Sequence, residues 1–402
     1  MTVPNMTRFM TKGWRCSTRW LLPALFLLSL MAVLMASAFV PTVAQYPRQE
    51  IRGVWMTTND TDILRDHAKL QDAVGQLARL NFNTIYPVVW NAGYAMYPST
   101  VVQQAGIQSF VYRGIQGQDI LADLIAQGHA RGMLIVPWFE FGFMAPPTSE
   151  LATKYANWLT QKQDGTKTSM SAAGEVVWLN PFRPEVQQFI SSLVLEIVTR
   201  YDADGIQFDD HMSLPNEFGY DSYTISLYQK ETGKTPPADP KDPDWVRWRA
   251  NKITAFMVQL HNAVKAVKPQ AIFSISPNYY DFAYRFHLQD WLAWVRQNAV
   301  DELIVQVYRP NLQSFLEQIT RSEIREARQK IPTGIGILTG LRNNPVAMSM
   351  IQAQTQSARA QGLGICFFYY ESLWDYAPEP PEQRQAGFQS LFPYQAVRST
   401  RL

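Results

Sequence analysis

Eight short runs of near-continuous apolar, β-branched and aromatic residues, each followed by a stretch with helical spacing, set the tightest limit on what this chain can fold into. The runs are Ile51–Met56, Thr84–Val89, Leu134–Phe139, Gly205–Asp209, Ile272–Ser276, Leu303–Tyr308, Gly334–Leu338 and Gly364–Tyr369. Amphipathic segments lie between them: Leu70–Leu80, Asp119–Arg131, Pro184–Tyr201, Val246–Val267, Gln289–Gln297, Leu312–Lys330 and Ala347–Gln361. A strand without polar alternation is buried on both faces, which requires a parallel sheet covered by helices. Eight such units are the number that closes, so the sequence predicts an α/β (β/α)8 TIM barrel. The competing doubly wound sheet lacks its Gly-rich phosphate turn after the first run. Long loops are expected after the third and fourth strands, with Gln163-Asp164-Gly165-Thr166 read as a hairpin turn in the first of them.

Residues 1–44 stand apart. Lys12, Arg15 and Arg19 precede an uncharged run from Trp20 to Val40, with small residues near its end at Ala36-Ser37-Ala38 and beyond it at Thr42-Val43-Ala44. That order predicts an export signal or an uncleaved N-terminal anchor, since about 20 apolar residues also suffice to span a bilayer. Either reading predicts an exported protein of the periplasm or cell envelope, touching membrane only through this segment. One catalytic domain is expected over residues 46–395. A net charge of +2 without a basic patch argues against nucleic acid as a partner. Cys16 and Cys366 are the two cysteines and the five histidines are scattered, so no disulfide, metal site or cofactor is expected. Oligomeric state stays open.

In a barrel the carboxyl ends of all strands meet on one face, so residues distant in sequence become neighbours there. The fourth strand ends in Asp209-Asp210-His211, where paired carboxylates can separate into an acid and a base. Glu140 after the third strand and Glu371 after the eighth are rival partner carboxylates. Trp90, Trp138, Tyr308 and Tyr369 are candidate sugar platforms, Asn91 and Asn278 candidate hydroxyl ligands, and His211 a substrate or carboxylate ligand. Carboxylates, amides and rings without a Gly-x-Ser-x-Gly elbow or phosphate loop fit glycoside cleavage of a polysaccharide.

Four segments carry a resemblance: Ile51-Arg52-Gly53-Val54-Trp55, Asn81-Phe82-Asn83-Thr84-Ile85-Tyr86-Pro87, Trp178-Leu179-Asn180-Pro181, and Asp204-Gly205-Ile206-Gln207-Phe208-Asp209-Asp210-His211. In this order they are similar to glycosyl hydrolase-like family 10, formerly a domain of unknown function. The resemblance implies a (β/α)8 barrel, an envelope location and hydrolysis of amino-sugar glycans, including peptidoglycan strands stripped of their peptides. The fourth strand also resembles, more distantly, the Asp-Gly-x-Asp-x-Asp-x-Glu strand of chitinase-type barrels. There Asp204 and Gly205 match, Gln207 replaces an Asp, Asp209 keeps the residue that orients the acetamido group, and His211 stands where the catalytic Glu belongs. Similarity to enzymes that cut poly-glucosamine, which carry an Asp-Asp pair at this place, implies Asp210 as the acid. The alternatives are a non-catalytic glycan-binding barrel and an envelope scaffold.

Overall fold

The computed structural model describes residues 49–108 and 118–398; the leader expected over residues 1–44 lies outside the described residues. Eight parallel strands form a closed barrel: β1 (Arg52–Met56), β2 (Thr84–Asn91), β3 (Leu134–Ile135 and Trp138–Phe139), β4 (Gly205–Asp209), β5 (Ile272–Ser276), β6 (Glu302–Gln306), β7 (Thr333–Leu338) and β8 (Gly364–Phe368). Each strand pairs with its sequence neighbours, and β1 closes the ring against β8 and β2, with Gly53 opposite Cys366 and Thr84. β3 is broken at Val136-Pro137 because proline offers no N–H to the ladder. Gly205 is required where β4 meets β5: a Cβ there would stand 2.1 Å from the carbonyl oxygen of Ile272.

The inside of the barrel holds a hydrogen-bonded polar chain. Trp55 Nε1 donates to Gln207 Oε1 at 2.6 Å, Gln207 Nε2 to Ser274 Oγ at 2.9 Å, and Ser274 Oγ to Glu302 Oε1 at 2.8 Å. Tyr86 donates to the same Glu302 oxygen at 2.8 Å, and the other oxygen takes a charge-paired bond from Arg398. Each group is buried, so each would be costly unpaired. Above this chain Trp55, Trp138, Tyr308 and Phe368 pack ring against ring, with Tyr308 stacked on Phe368 at 5.3 Å.

The helices that cover the barrel start where sequence chemistry asks them to. Pro184–Arg200 has proline in its first turn, and the 25-residue helix Pro243–Val267 is capped by Asp242, which accepts from the N–H groups of Asp244 and Trp245. The single helix expected over Leu312–Lys330 is two, Leu312–Ile319 and Ser322–Lys330, because Asn311 caps the first and Arg321 is extended. In the loop after β3, the Gln163–Thr166 turn forms, with Lys162 N bonded to Thr166 O. The tight hairpin of that loop lies later, pairing Thr168–Ser171 with Gly174–Trp178. Its Ala172-Ala173 tip carries no turn signal; Gly174 at φ +99° and the Ser171 hydroxyl supply it. No helix among the described residues is long and apolar enough to cross a membrane.

Candidate functional site

The ends of β2 to β6 bring five polar side chains around Asp209 and Asp210. Asp209, 3% exposed, closes β4 and accepts from the main-chain N–H of His211 at 2.9 Å. The His211 Nδ1 lies 2.7 Å from the main-chain oxygen of Glu140, an atom that only accepts, so Nδ1 carries a hydrogen. Asp209 Oδ1 shares that hydrogen at 3.1 Å, and Asp210 Oδ1 stands 3.6 Å away. Asp210 accepts from Asn278 Nδ2 at 2.6 Å and from Gln306 Nε2 at 3.4 Å, so both of its oxygens act as acceptors. Gln306 is itself fixed by Ser276 O at 2.8 Å. Glu140 accepts from Asn91 Nδ2 at 2.5 Å.

The loops are locked around these groups. Gln289, fully buried, donates to Asp209 O at 2.8 Å. Gly142 sits at φ +48°, and a Cβ there would fall 2.4 Å from His211 O, so only glycine lets the two loops pass. Phe143 N then donates to that oxygen at 3.0 Å.

Burial dominates the electrostatics. It pushes the Glu140 carboxyl up to about 7, helped by the like charge of Asp209 and opposed by the Asn91 bond and His211. Burial likewise raises Asp209 to about 7, against the pull of His211. For His211 burial alone would act downward, yet Asp209 and Asp210 outweigh it and push the imidazole up to about 10. Burial, then Cys366 and the three carboxylates, hold the Tyr308 phenol well above its ordinary range, so it faces the cluster as a neutral hydroxyl. The site therefore couples an imidazolium to carboxyl groups that titrate near neutrality, the pattern of an acid–base centre. Donor atoms of Asp209, Asp210 and His211 lie within 4.8 Å of one another, close enough for one metal ion. This is a ligand set that the scattered histidines did not foreshadow, and in this structure the carboxylates and His211 Nδ1 make the hydrogen bonds described above.

Of the residues singled out from sequence, Asn91, Glu140, Asp209, Asp210, His211, Asn278 and Tyr308 converge here. Glu371 is elsewhere in the network: it accepts from Tyr369 at 3.1 Å and Arg342 at 3.3 Å, and its main-chain N–H donates to Asp60. Among the described residues no hydrogen bond or ion pair joins it to Asp209, Asp210 or His211. Trp90 is 1% exposed, packed on Phe189 with its indole N–H on Gly142 O, which makes it part of the core wall. Trp138 is also buried, packed on Trp55 and Phe368, and its Nε1 has no partner among the described residues. Tyr369 is 3% exposed, and Tyr308 is the more open ring.

Sequence reading missed His287, whose imidazole is pushed down by burial while Asp210 and His211 both act on it. Its Nδ1 is buried without a partner among the described residues. It ends the helix Tyr280–His287, not a strand, so inspection of strand ends passes over it. Gln289, two residues on, was missed for the same reason.

Residues 50–358 match the model of a protein family described as glycosyl hydrolase-like 10. Glycosyl hydrolase DigH of Escherichia coli strain K12 is 28% identical over 311 residues, covering 67% of this chain and 68% of the relative. Glycosyl hydrolase YngK of Bacillus subtilis strain 168 is 23% identical over 298 residues, 65% of this chain and 54% of that protein. In fold the chain is similar to the glycoside hydrolase domain of PgaB (BpsB) from Bordetella bronchiseptica, with a TM-score of 0.63 at 13% identity over 87% of this chain and 100% of that one.

Proposed function

This chain belongs to the glycosyl hydrolase-like 10 family and is a glycoside hydrolase, and from that premise we propose that it cleaves amino-sugar glycan, peptidoglycan strands freed of their peptides, with Glu140 and Asp210 as the working carboxyl pair. The substrate class rests on the sequence resemblance. The proposed location outside the cytoplasm is supported by the charge-then-apolar order of residues 1–44.

One observation carries the division of labour: two carboxyl groups at the ends of adjacent strands are furnished differently. Asp210 has an amide donor on each oxygen, as a carboxylate does, whereas Glu140 has one amide on Oε2 and a carboxyl pushed up to about 7. Glu140 protonates the departing glycosidic oxygen, a role the sequence resemblance assigns to Asp210. Asp210 then faces the positive charge that develops at the anomeric carbon, directly or through a water it activates. Asp209 and the His211 imidazolium form a buried pair that fixes the backbone of Asp210 and directs the acetamido group of the sugar. Tyr308, on Phe368, offers a ring face and a neutral hydroxyl.

The test is release of reducing ends from peptide-free peptidoglycan strands and from chitin oligomers. Wild type cleaves at least one of them, while Glu140→Gln and Asp210→Asn lower turnover by about 10³-fold or more. Glu371→Gln stays within about threefold, because a change outside the carboxyl pair leaves the chemical step intact. Absence of cleavage on every amino-sugar polymer, or unchanged turnover in the two variants, contradicts the proposal.

A further inference from the structure

Residues from the segments that follow β4 and β5 line a cavity of about 430 Å³, among them Asn216, Lys241, Tyr284, Arg285 and Phe286. It is built by the two loops that also build the site. Asn216 comes six residues after Asp210, and Phe286 immediately precedes His287, on which Asp210 and His211 act. The loops are stitched together: Leu214 N donates to His287 O at 3.0 Å, Asn216 N to Phe286 O at 2.8 Å, and Asn216 Nδ2 to Arg285 O at 2.9 Å. Beneath them the fully buried Arg249 grips the carbonyls of Asn216, Phe218 and Pro240, at 2.5, 2.6 and 2.7 Å. The cavity is therefore preformed on the catalytic face of the barrel, and its size is that of ordinary ligand pockets.

Its chemistry is cationic and aromatic. Lys241 Nζ stands 5.8 Å over the ring of Phe286, and that ring is 43% exposed. Among the described residues no carboxylate pairs with Lys241 or Arg285. The acids nearest Lys241 in sequence are engaged: Asp239 accepts from the Lys241 main-chain N–H, Asp242 caps its helix and Asp244 pairs with Arg247. One cation over an exposed ring, with a second in the same lining, suits a sugar that carries an anionic substituent, the ring accepting a pyranose face and the cations a carboxylate.

We propose that this cavity is an additional saccharide subsite that selects a carboxylate-bearing amino sugar of the strand being cut, with Lys241 and Arg285 on the carboxylate and Phe286 under the ring. This rests on the reading of the chain as an amino-sugar hydrolase and gives that reading a specificity: acidic strands over neutral ones.

The experiment is calorimetric titration of the Asp210→Asn protein with a carboxyl-bearing amino-sugar tetrasaccharide and with the same oligomer reduced to its alcohol. The acidic oligomer binds at least about ten-fold tighter, and the tightness falls on raising the salt. Replacing both Lys241→Met and Arg285→Met brings the acidic oligomer down to the affinity of the neutral one and leaves the neutral one unchanged. Equal affinity of the two oligomers for the parent protein, or no binding of either, overturns the subsite. Cleavage of a neutral chitin oligomer by wild type is scored separately. If cleavage persists while the oligomers bind alike, the subsite falls and the hydrolase reading stands; discriminating binding without any cleavage leaves the subsite and removes the hydrolase reading.

Discussion

Asn91→Ala isolates the group that tunes the proposed proton donor. The Asn91 amide N–H, 2.5 Å from Glu140 Oε2, stabilises the ionised carboxylate more than the acid, and it is the strongest hydrogen-bonding influence holding Glu140 down against burial. A hydrogen bond to a charged group is worth about 1.5–3 kcal/mol, and about 1.4 kcal/mol corresponds to one pH unit. Asn91 is partly exposed, so water replaces some of the lost bond, and the lower end of the range applies. Glu140 must be protonated to act, so wild-type kcat/KM falls as pH rises through about 7. Without Asn91 the proton is retained longer, and the alkaline limb moves up by about one pH unit whatever happens to the height of the profile. The assay is kcat/KM on a soluble amino-sugar oligomer across the neutral range. A limb that stays in place or moves to lower pH refutes Glu140 as the acid.

Three further outcomes follow from the same network. Asp209→Asn removes the first of the charges that raise His211, so the imidazole, titrated by NMR, drops from about 10 by at least about one pH unit; an unmoved titration contradicts the buried pair. Glu140, Asp209 and His211 all bind protons more tightly folded than unfolded, so the stability they contribute is present at low pH and is lost as pH climbs through about 7 and then about 10; the melting temperature falls over that window, and Asp209→Asn flattens the fall. Arg384→Leu strips a buried guanidinium that bonds the carbonyls of Leu373, Val346, Thr339 and Ser372 and pairs with Glu379, at a cost of about 3–5 kcal/mol by denaturant unfolding. A loss under about 1 kcal/mol shows that the clamp is not structural.

The barrel was legible because its strands are buried on both faces, which leaves short uninterrupted apolar runs that alternate eight times with segments of helical spacing. The Asp209-Asp210-His211 triplet was legible for a related reason: charge placed directly after such a run must sit at the rim. What sequence could not separate was Glu140 from Glu371, since both follow strand ends, and only packing shows that one shares His211 while the other pairs with Arg342. Trp90 and Tyr308 looked alike as platforms, yet Trp90 points its indole into the wall on Phe189. The break at Thr320-Arg321 fell inside an uninterrupted helical period, because a cap by Asn311 and an extended residue 321 are tertiary choices. His287 and Lys241 became visible only once two loops, far apart in the chain, were laid side by side.

A crystal structure of the Glu140→Gln protein with an amino-sugar oligomer bound decides whether position 140 delivers the proton. With Glu140 as the acid, a glycosidic oxygen lies within about 3 Å of the side chain at position 140, the adjoining anomeric carbon faces Asp210, and a sugar ring rests on Tyr308. An oligomer bound away from the ends of β3 and β4, or a glycosidic oxygen beyond hydrogen-bond reach of position 140, contradicts it.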